Sequence, residues 1–204
     1  MKEHIIKALE ALRKEKQRKF DQSVEVIINL QKFDIKKESV NLFVQLPFLI
    51  KERKVCGFLT KKSPVVDTIT KAEFDKYKSK KDVKKLTRSY NFFIAHASLM
   101  PSVATTFGKY LGPAGKMPSP QLGIVTNEDE ATLKSLLEKV NHIARVKSKE
   151  PSLKVPIGKS SMKDEEIAQN ALQVYTAVLN AVTKEKIKSV LIKFTMTKPM
   201  KIQL

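Results

Sequence analysis

Among the glycine–lysine pairs, Gly115–Lys116 and Gly158–Lys159 are the residues whose types best suit a phosphate. A phosphate-binding loop of the form G-x-x-x-x-G-K-[ST] needs an earlier glycine and a following hydroxyl. The first pair has Tyr110 and Met117 at those places, and the second lacks its leading glycine because position 153 is Leu. Nucleotide hydrolysis is therefore not indicated. His4, His96 and His142 stand apart from other ligand-type residues, whereas a metal site needs clustered donors. The single cysteine, Cys56, lies in the apolar run "VCGFL" without an activating partner in sequence, and no Gly-x-Ser-x-Gly elbow occurs. These patterns point to no enzyme, no metal and no cofactor. What they leave is binding.

The charge says what could be bound. Lys and Arg number 39 against 21 Asp and Glu, giving a formal charge of +18. Such an excess calls for a polyanion, either nucleic acid or an anionic membrane surface. No apolar run reaches the roughly 20 residues of a spanning helix, and the charged N-terminus has no signal-peptide core. One cysteine fits a reducing compartment, and the expectation is a soluble, cytoplasmic protein.

The elements that must position a binding surface follow from periodicity. Residues 4–18 place Ile5, Ala8, Leu9 and Leu12 on one helical face, and the chain then turns basic through Arg13, Lys14, Lys16, Arg18 and Lys19. "SVEVIINLQ" alternates, with Val24, Val26, Ile28 and Leu30 on one side and Ser23, Glu25, Ile27, Asn29 and Gln31 on the other. "VNLFVQLP" is a second strand. "KVCGFLT" and "NFFIAH" are short continuous apolar runs, as in parallel strands buried on both faces. Between them, seven cations (Lys76, Lys78, Lys80, Lys81, Lys84, Lys85, Arg88) crowd thirteen residues, either a solvated helix face or an RNA contact.

"NEDEATLKSLLEKV" predicts a helix capped by Asn127, and "SMKDEEIAQNALQVYTAVLNAV" one capped by Ser161. "IKSVLIKFTMT" alternates again, with Val190, Ile192, Phe194 and Met196 inward and Ser189, Lys193, Thr195 and Thr197 outward. The grammar of the two ends encloses a different grammar in the middle. Residues 1–51 and 150–204 are thus expected to form one domain around an insertion at 52–149. Both domains are basic, with 20 basic against 12 acidic residues in the first and 19 against 9 in the second. The outward faces of the end-domain strands offer small hydroxyls, amides and a carboxylate. That composition suits the minor groove of a folded RNA, and it equally suits an ordinary solvated sheet face.

Four segments carry a resemblance. "KFDQSVEVIINL", "LGPAGKMPSP", "GKSSMKDEEIAQN" and "SVLIKFTMTKP" are similar, in the same order, to segments of the L-one family of large-subunit ribosomal proteins, L-ten-a in its eukaryotic form. The resemblance leans towards the archaeal and eukaryotic branch. It implies an α/β protein in which an α+β two-layer domain I is built from both termini and a Rossmann-like three-layer domain II is inserted. It also implies a monomer within the large ribosomal subunit, bound to rRNA at the base of the mobile stalk beside the tRNA exit site. A role in releasing deacylated exit-site tRNA follows, as does repression of its own mRNA through the same surface.

Carried over by matching positions, the RNA contacts implied are Lys19 and Phe20 at the helix-to-strand junction, and Ser23 and Glu25 on the first strand. Gly158 and Lys159 precede the long helix, and Ser189, Thr195, Met196 and Thr197 lie on the last strand. Met196 falls on the inward side of the alternation, so its contact requires the strand to twist or break there. The stretch "YLGPAGKMPSP" reads as a rigid loop that either presents Lys116 and backbone amides to rRNA from the side opposite domain I or serves as a hinge-side structural turn.

Three departures stand out: Thr197 in place of the family's glycine, Ala114 in place of the loop's usual arginine, and a shortened stretch after "GFLT" that predicts a lost or truncated first helix in domain II.

Overall fold

The alternation of "SVEVIINL" becomes β1 (Ser23–Leu30), with every second residue buried from Val24 onward. The computed structural model describes residues 1–15, 18–34, 38, 40–77, 79–148 and 150–202, so Lys16 and Lys78 of the two basic runs lie outside the described residues. β1 pairs antiparallel with β8 (Ser152–Lys159) on one side and β9 (Ile187–Phe194) on the other, and β10 (Met200–Ile202) extends the sheet to the order β10-β9-β1-β8. The inward residues meet α1 (Lys2–Lys14) and α5 (Asp164–Ala181) in one core. Leu9, Leu12, Ile28, Leu153, Val155, Ile157, Ile167 and Val174 contribute to it. Fully burying each such side chain is worth about 1.5–3 kcal/mol, which makes this layer-on-layer contact the main source of stability for the end domain.

The chain divides into two compact units, Met1–Ile50 with His142–Leu204, and Lys51–Asn141. The second boundary falls earlier than the 150 expected from sequence. The reason is β7 (Ile143–Lys147), which pairs antiparallel with β2 (Asn41–Gln45) in a two-stranded sheet and so belongs with the chain ends.

The inserted unit has a parallel sheet of β3 (Val55–Phe58), β4 (Asp67–Ile69), β5 (Phe92–His96) and β6 (Ile124–Val125), in the order β4-β3-β5-β6. The reversal of order between β3 and β5 is the doubly wound pattern. Cys56, Phe58, Phe93 and Ala95 pack with Val83 and Leu86 of α2 (Lys80–Ser89) and Val103, Phe107 and Leu111 of α3 (Met100–Ala114). Val55 and Ile94, which alternate with them, are buried as well. Burial pushes the Cys56 thiol up to about 12, with Asp67 adding to the rise, so it is an inert core residue. Residues 59–66, between β3 and β4, contain no helix, in keeping with the expectation of a lost first helix in this unit.

Two helix starts differ from expectation. The helix after β6, α4 (Glu130–Asn141), begins later than a cap at Asn127 would place it, because Glu128 is drawn away to the end of β3. α5 is preceded by Lys163 rather than Ser161, because the Ser161 hydroxyl and N–H both donate to Asp21.

Candidate nucleic-acid interface

At the end of the sheet where β1 begins, three segments distant in sequence converge: 19–23, 158–161 and 195–197. Gln22 and Ser160 exchange bonds, the Gln22 N–H donating to Ser160 Oγ (2.9 Å) and the Ser160 N–H to the Gln22 carbonyl (2.7 Å). Asp21 accepts from Ser160 Oγ (2.8 Å), the Ser161 N–H (3.1 Å) and Ser161 Oγ (3.2 Å). The Ser160 hydroxyl first, together with Ser161 and the ammonium of Lys159 at 3.4 Å, holds this carboxyl below its ordinary value of 3.8 despite opposing desolvation. A lowered carboxyl pKa means that the stabilisation is complete above pH 3.8 and is withdrawn as pH falls through the lower folded value.

Arg13, at the end of α1, completes the frame. Its Nε donates to Asp164 Oδ1, Nη1 to the Ser160 carbonyl and Nη2 to the Met162 carbonyl, each at 2.8 Å. Its guanidinium lies 6.0 Å from the Phe194 ring centroid. A planar fork suits such divergent acceptors better than a point charge does.

The last strand behaves differently from its sequence pattern. β9 stops at Phe194, and the chain turns. The Thr197 hydroxyl accepts from the Phe194 N–H (3.0 Å), and the Thr197 N–H donates to the Phe194 carbonyl (3.2 Å). Thr195 bonds Ser23 through backbone and hydroxyl, and the Met196 N–H donates to Gln22 Oε1 (3.1 Å). Thr195 and Thr197 are therefore turn residues rather than strand residues, and Met196 is not inward. Its side chain is 57% exposed, which is the break that its contact required. Phe20, 53% exposed, stands at the same end of the sheet. Among the described residues the only other exposed large hydrophobic is Leu49, at 37%. A shallow groove lined by Arg13, Arg18, Phe20, Gln22, Ser160 and Thr197 lies in this region.

Along the sheet, the register sets Lys193, Glu25 and Pro156 in one row, then Lys201, Leu191, Ile27 and Lys154, then Ser189, Asn29 and Ser152. Ser189 therefore lies on the same face as Glu25 but four residues along β1, roughly 13 Å away, bonded to Asn29 (3.1 Å). Gly158 is buried, and a Cβ there would stand 2.9 Å from Ile167 Cγ1. Its missing side chain serves the seating of β8 on α5, beside a bulge that shifts the register between Val24 and Glu25. Lys159 is only partly buried, so the pair is divided between packing and surface. Lys19 is exposed.

The structure thus gathers Phe20, Ser23, Glu25, Lys159, Thr195, Met196 and Thr197 at one end. Sequence reasoning missed Asp21, Gln22, Ser160 and Arg13, which hold them there.

Lys116 requires a correction. Tyr110–Ala114 is the last turn of α3, not loop, and the helix closes with Gly115 at φ 68°. The Gly115 N–H donates to Gly112 O and the Lys116 N–H to Leu111 O, both at 2.9 Å, a Schellman closure that needs glycine at the left-handed position. The Lys116 ammonium turns to the end of α2, donating to Thr87 O (2.6 Å) and Tyr90 O (2.8 Å). Helix C-termini leave carbonyls without partners, and Lys116 supplies them. Desolvation by burial lowers its pKa. We expect Lys116→Met to destabilise the chain by about 1–2 kcal/mol in thermal denaturation while leaving the salt dependence of RNA binding unchanged. A salt slope smaller by about one would restore it as a phosphate contact.

At the switch point of the inserted sheet, Glu128 accepts from the Thr60 hydroxyl and N–H and from the Lys61 N–H. Burial alone would raise the Glu128 pKa, but these bonds outweigh it and the net shift is downward. An anion entering that crevice would have to displace Glu128. His96 bridges Ser98 Oγ and the Thr126 carbonyl there, and among the described residues no group of His, Cys, Asp and Glu could hold a metal ion.

An exposed apolar pair on a hydrogen-bonded polar frame, in an α/β chain this basic, suits a protein that binds a polyanionic partner. A model described as the ribosomal protein L1p/L10e family matches residues 12–198, and the chain belongs to that family. It is 36% identical to the large ribosomal subunit protein uL1 of Pyrobaculum neutrophilum over 97% of this chain and 91% of that one. It is 34% identical to that of Pyrococcus abyssi (99% and 96%) and 35% identical to that of Thermococcus kodakarensis (95% and 94%). These relatives are ribosomal proteins, not enzymes. Among the described residues no helix is long and apolar enough to cross a membrane.

Proposed function

We propose that the chain is a structural component of the large subunit of the cytoplasmic ribosome, bound as a monomer to rRNA at the stalk base beside the tRNA exit site, where it assists departure of deacylated tRNA. The observation that carries the reading is the exposure of Phe20 and Met196 on a frame whose polar groups bond one another. Exposed apolar side chains stack on or pack against unpaired bases and sugars of a folded RNA. Lys19 and Arg18 supply phosphate contacts, whose counterion release makes affinity fall with salt. Glu25 repels phosphate and accepts only from donors such as base amino groups or 2′-hydroxyls, which makes it a specificity element. The surface reads RNA shape, so a similar fold in its own message would bind as well, with translational repression as the consequence.

The two roles separate experimentally. Glu25→Ala should cost about 1–3 kcal/mol of affinity for a stalk-base rRNA fragment with the salt slope intact. Lys19→Gln should lower that slope by about one. A Glu25 variant that binds as tightly as wild type would remove the specificity role, and an unchanged slope in the Lys19 variant would remove the phosphate contact.

A further inference from the structure

The inserted unit carries a second charged surface that the reading above does not use. On α2, Lys81, Lys84, Lys85 and Arg88 recur at the spacing that aligns side chains along one helical face. All are exposed, while Val83 and Leu86 on the opposite side are buried in the core. The stripe runs about 10 Å along the helix and, with Ser89, lines a shallow groove.

These cations have no carboxylate partners among the described residues, unlike their neighbours. Lys62 and Lys76 approach Glu73, and Lys134 approaches Glu130. α2 itself offers one acid, Asp82. Like charges three and four apart on a helix repel, and Lys80 and Lys81 occupy the first turn, where the helix dipole disfavours cations. A helix arranged for stability alone would not carry this pattern.

We infer that the Lys81–Arg88 face of α2 is a second, sequence-independent docking surface for an RNA phosphate backbone, independent of the site on the first unit. Three features favour RNA over other anions. A membrane-lying helix buries exposed apolar side chains in the interface, and the apolar residues of α2 are already spent in the core. A protein interface centres on aromatic or apolar anchors, and the stripe has none. Flexible lysines act as point charges that position a backbone without reading bases.

The test is binding of the full chain to a short RNA duplex of arbitrary sequence across a salt series. The variant K81Q/K84Q/K85Q/R88Q is compared with a control that removes four exposed lysines elsewhere, K7Q/K109Q/K139Q/K184Q. The stripe variant should reduce the slope of log affinity against log salt by about three to four, since each of four neutralised phosphates contributes nearly one, and the control should reduce it clearly less. K81R/K84R/K85R should keep the wild-type slope, which separates charge from folding. Equal losses in the two glutamine variants, or no loss in the stripe variant, would overturn the inference. So would a loss of slope in the arginine variant. A stripe variant that loses polyglutamate or phosphatidylserine vesicles but not RNA would assign the surface to an acidic protein or a membrane instead.

Discussion

Asn170→Leu should lower the unfolding free energy by about 3–4 kcal/mol. Asn170 sits fully buried in α5. Its Oδ1 accepts from the Phe48 N–H (3.1 Å), and its Nδ2 donates to Phe48 O (3.1 Å) and Ile157 O (2.8 Å). One amide thus ties α5 both to β8 and to the segment after β2. Leucine is of similar size but leaves three backbone groups without partners, each costing about 1–3 kcal/mol when buried. Phe48 is only partly buried, so water offsets part of that sum. In a chain of two units, global unfolding need not be a single transition. Hydrogen exchange is the sharper measurement, with protection lost in α5, β8 and β1 and retained in β3 and β5. A variant within 1 kcal/mol of wild type would mean that the bonds of Asn170 contribute little net stability.

Arg13→Met should weaken binding to the stalk-base fragment about ten- to hundredfold, or about 1.4–2.8 kcal/mol, although Arg13 need not touch RNA. Its three donors fix the carbonyls of Ser160 and Met162 and the carboxylate of Asp164, and Ser160 in turn orders Asp21 and Gln22. Without the guanidinium the loop before α5 is free to move, and Phe20 and Met196 lose their fixed spacing. The side chain is 36% exposed, so solvent screening limits the stability loss to about 2 kcal/mol. Two features distinguish positioning from phosphate contact. The salt slope should hold, and Arg13→Lys should not restore affinity, because one ammonium cannot span three divergent acceptors. Wild-type affinity in Arg13→Met would show that the loop is held by other means.

What could be read from the sequence follows the range of the forces involved. β1 and most of β9 were legible because a half-buried strand writes its burial into every second residue. The parallel strands β3 and β5 were legible as continuous apolar runs, and the two-part organisation followed from that change of grammar. The end of β9 was not legible. Thr195, Met196 and Thr197 continue the alternation in type, and it is the Gln22 amide, 174 positions away, that accepts from Met196 and helps hold the turn.

β7 escaped notice because "IARVK" alternates only weakly, and its place in the first unit depends on pairing with β2. The direction of Lys116 was hidden for a related reason. Its partners are carbonyls at the end of another helix, 26 and 29 positions away. Within "YLGPAG", Pro113 suggested a loop, but it stands inside the last turn of α3, where its missing N–H forgoes one bond to the preceding turn and the helix closes at Gly115. The shared outward face of Ser23, Glu25 and Ser189 was legible from alternation. The side chains that hold the candidate contacts in place, Arg13, Asp21 and Gln22, were not, because their bonds cross 138 to 151 positions.

In the proposed function, the end of the first unit's sheet recognises one folded RNA and does not merely attract phosphate. The most direct test of that reading is the affinity of the full chain for a stalk-base rRNA fragment relative to an unrelated hairpin of equal length, measured across salt for wild type and for Phe20→Ala/Met196→Ala. The wild type should prefer the stalk fragment by roughly hundredfold or more. This preference should collapse in the double variant while both salt slopes stay the same. Equal affinity of the wild-type chain for the two RNAs would contradict that reading and leave the +18 charge as the whole explanation of binding.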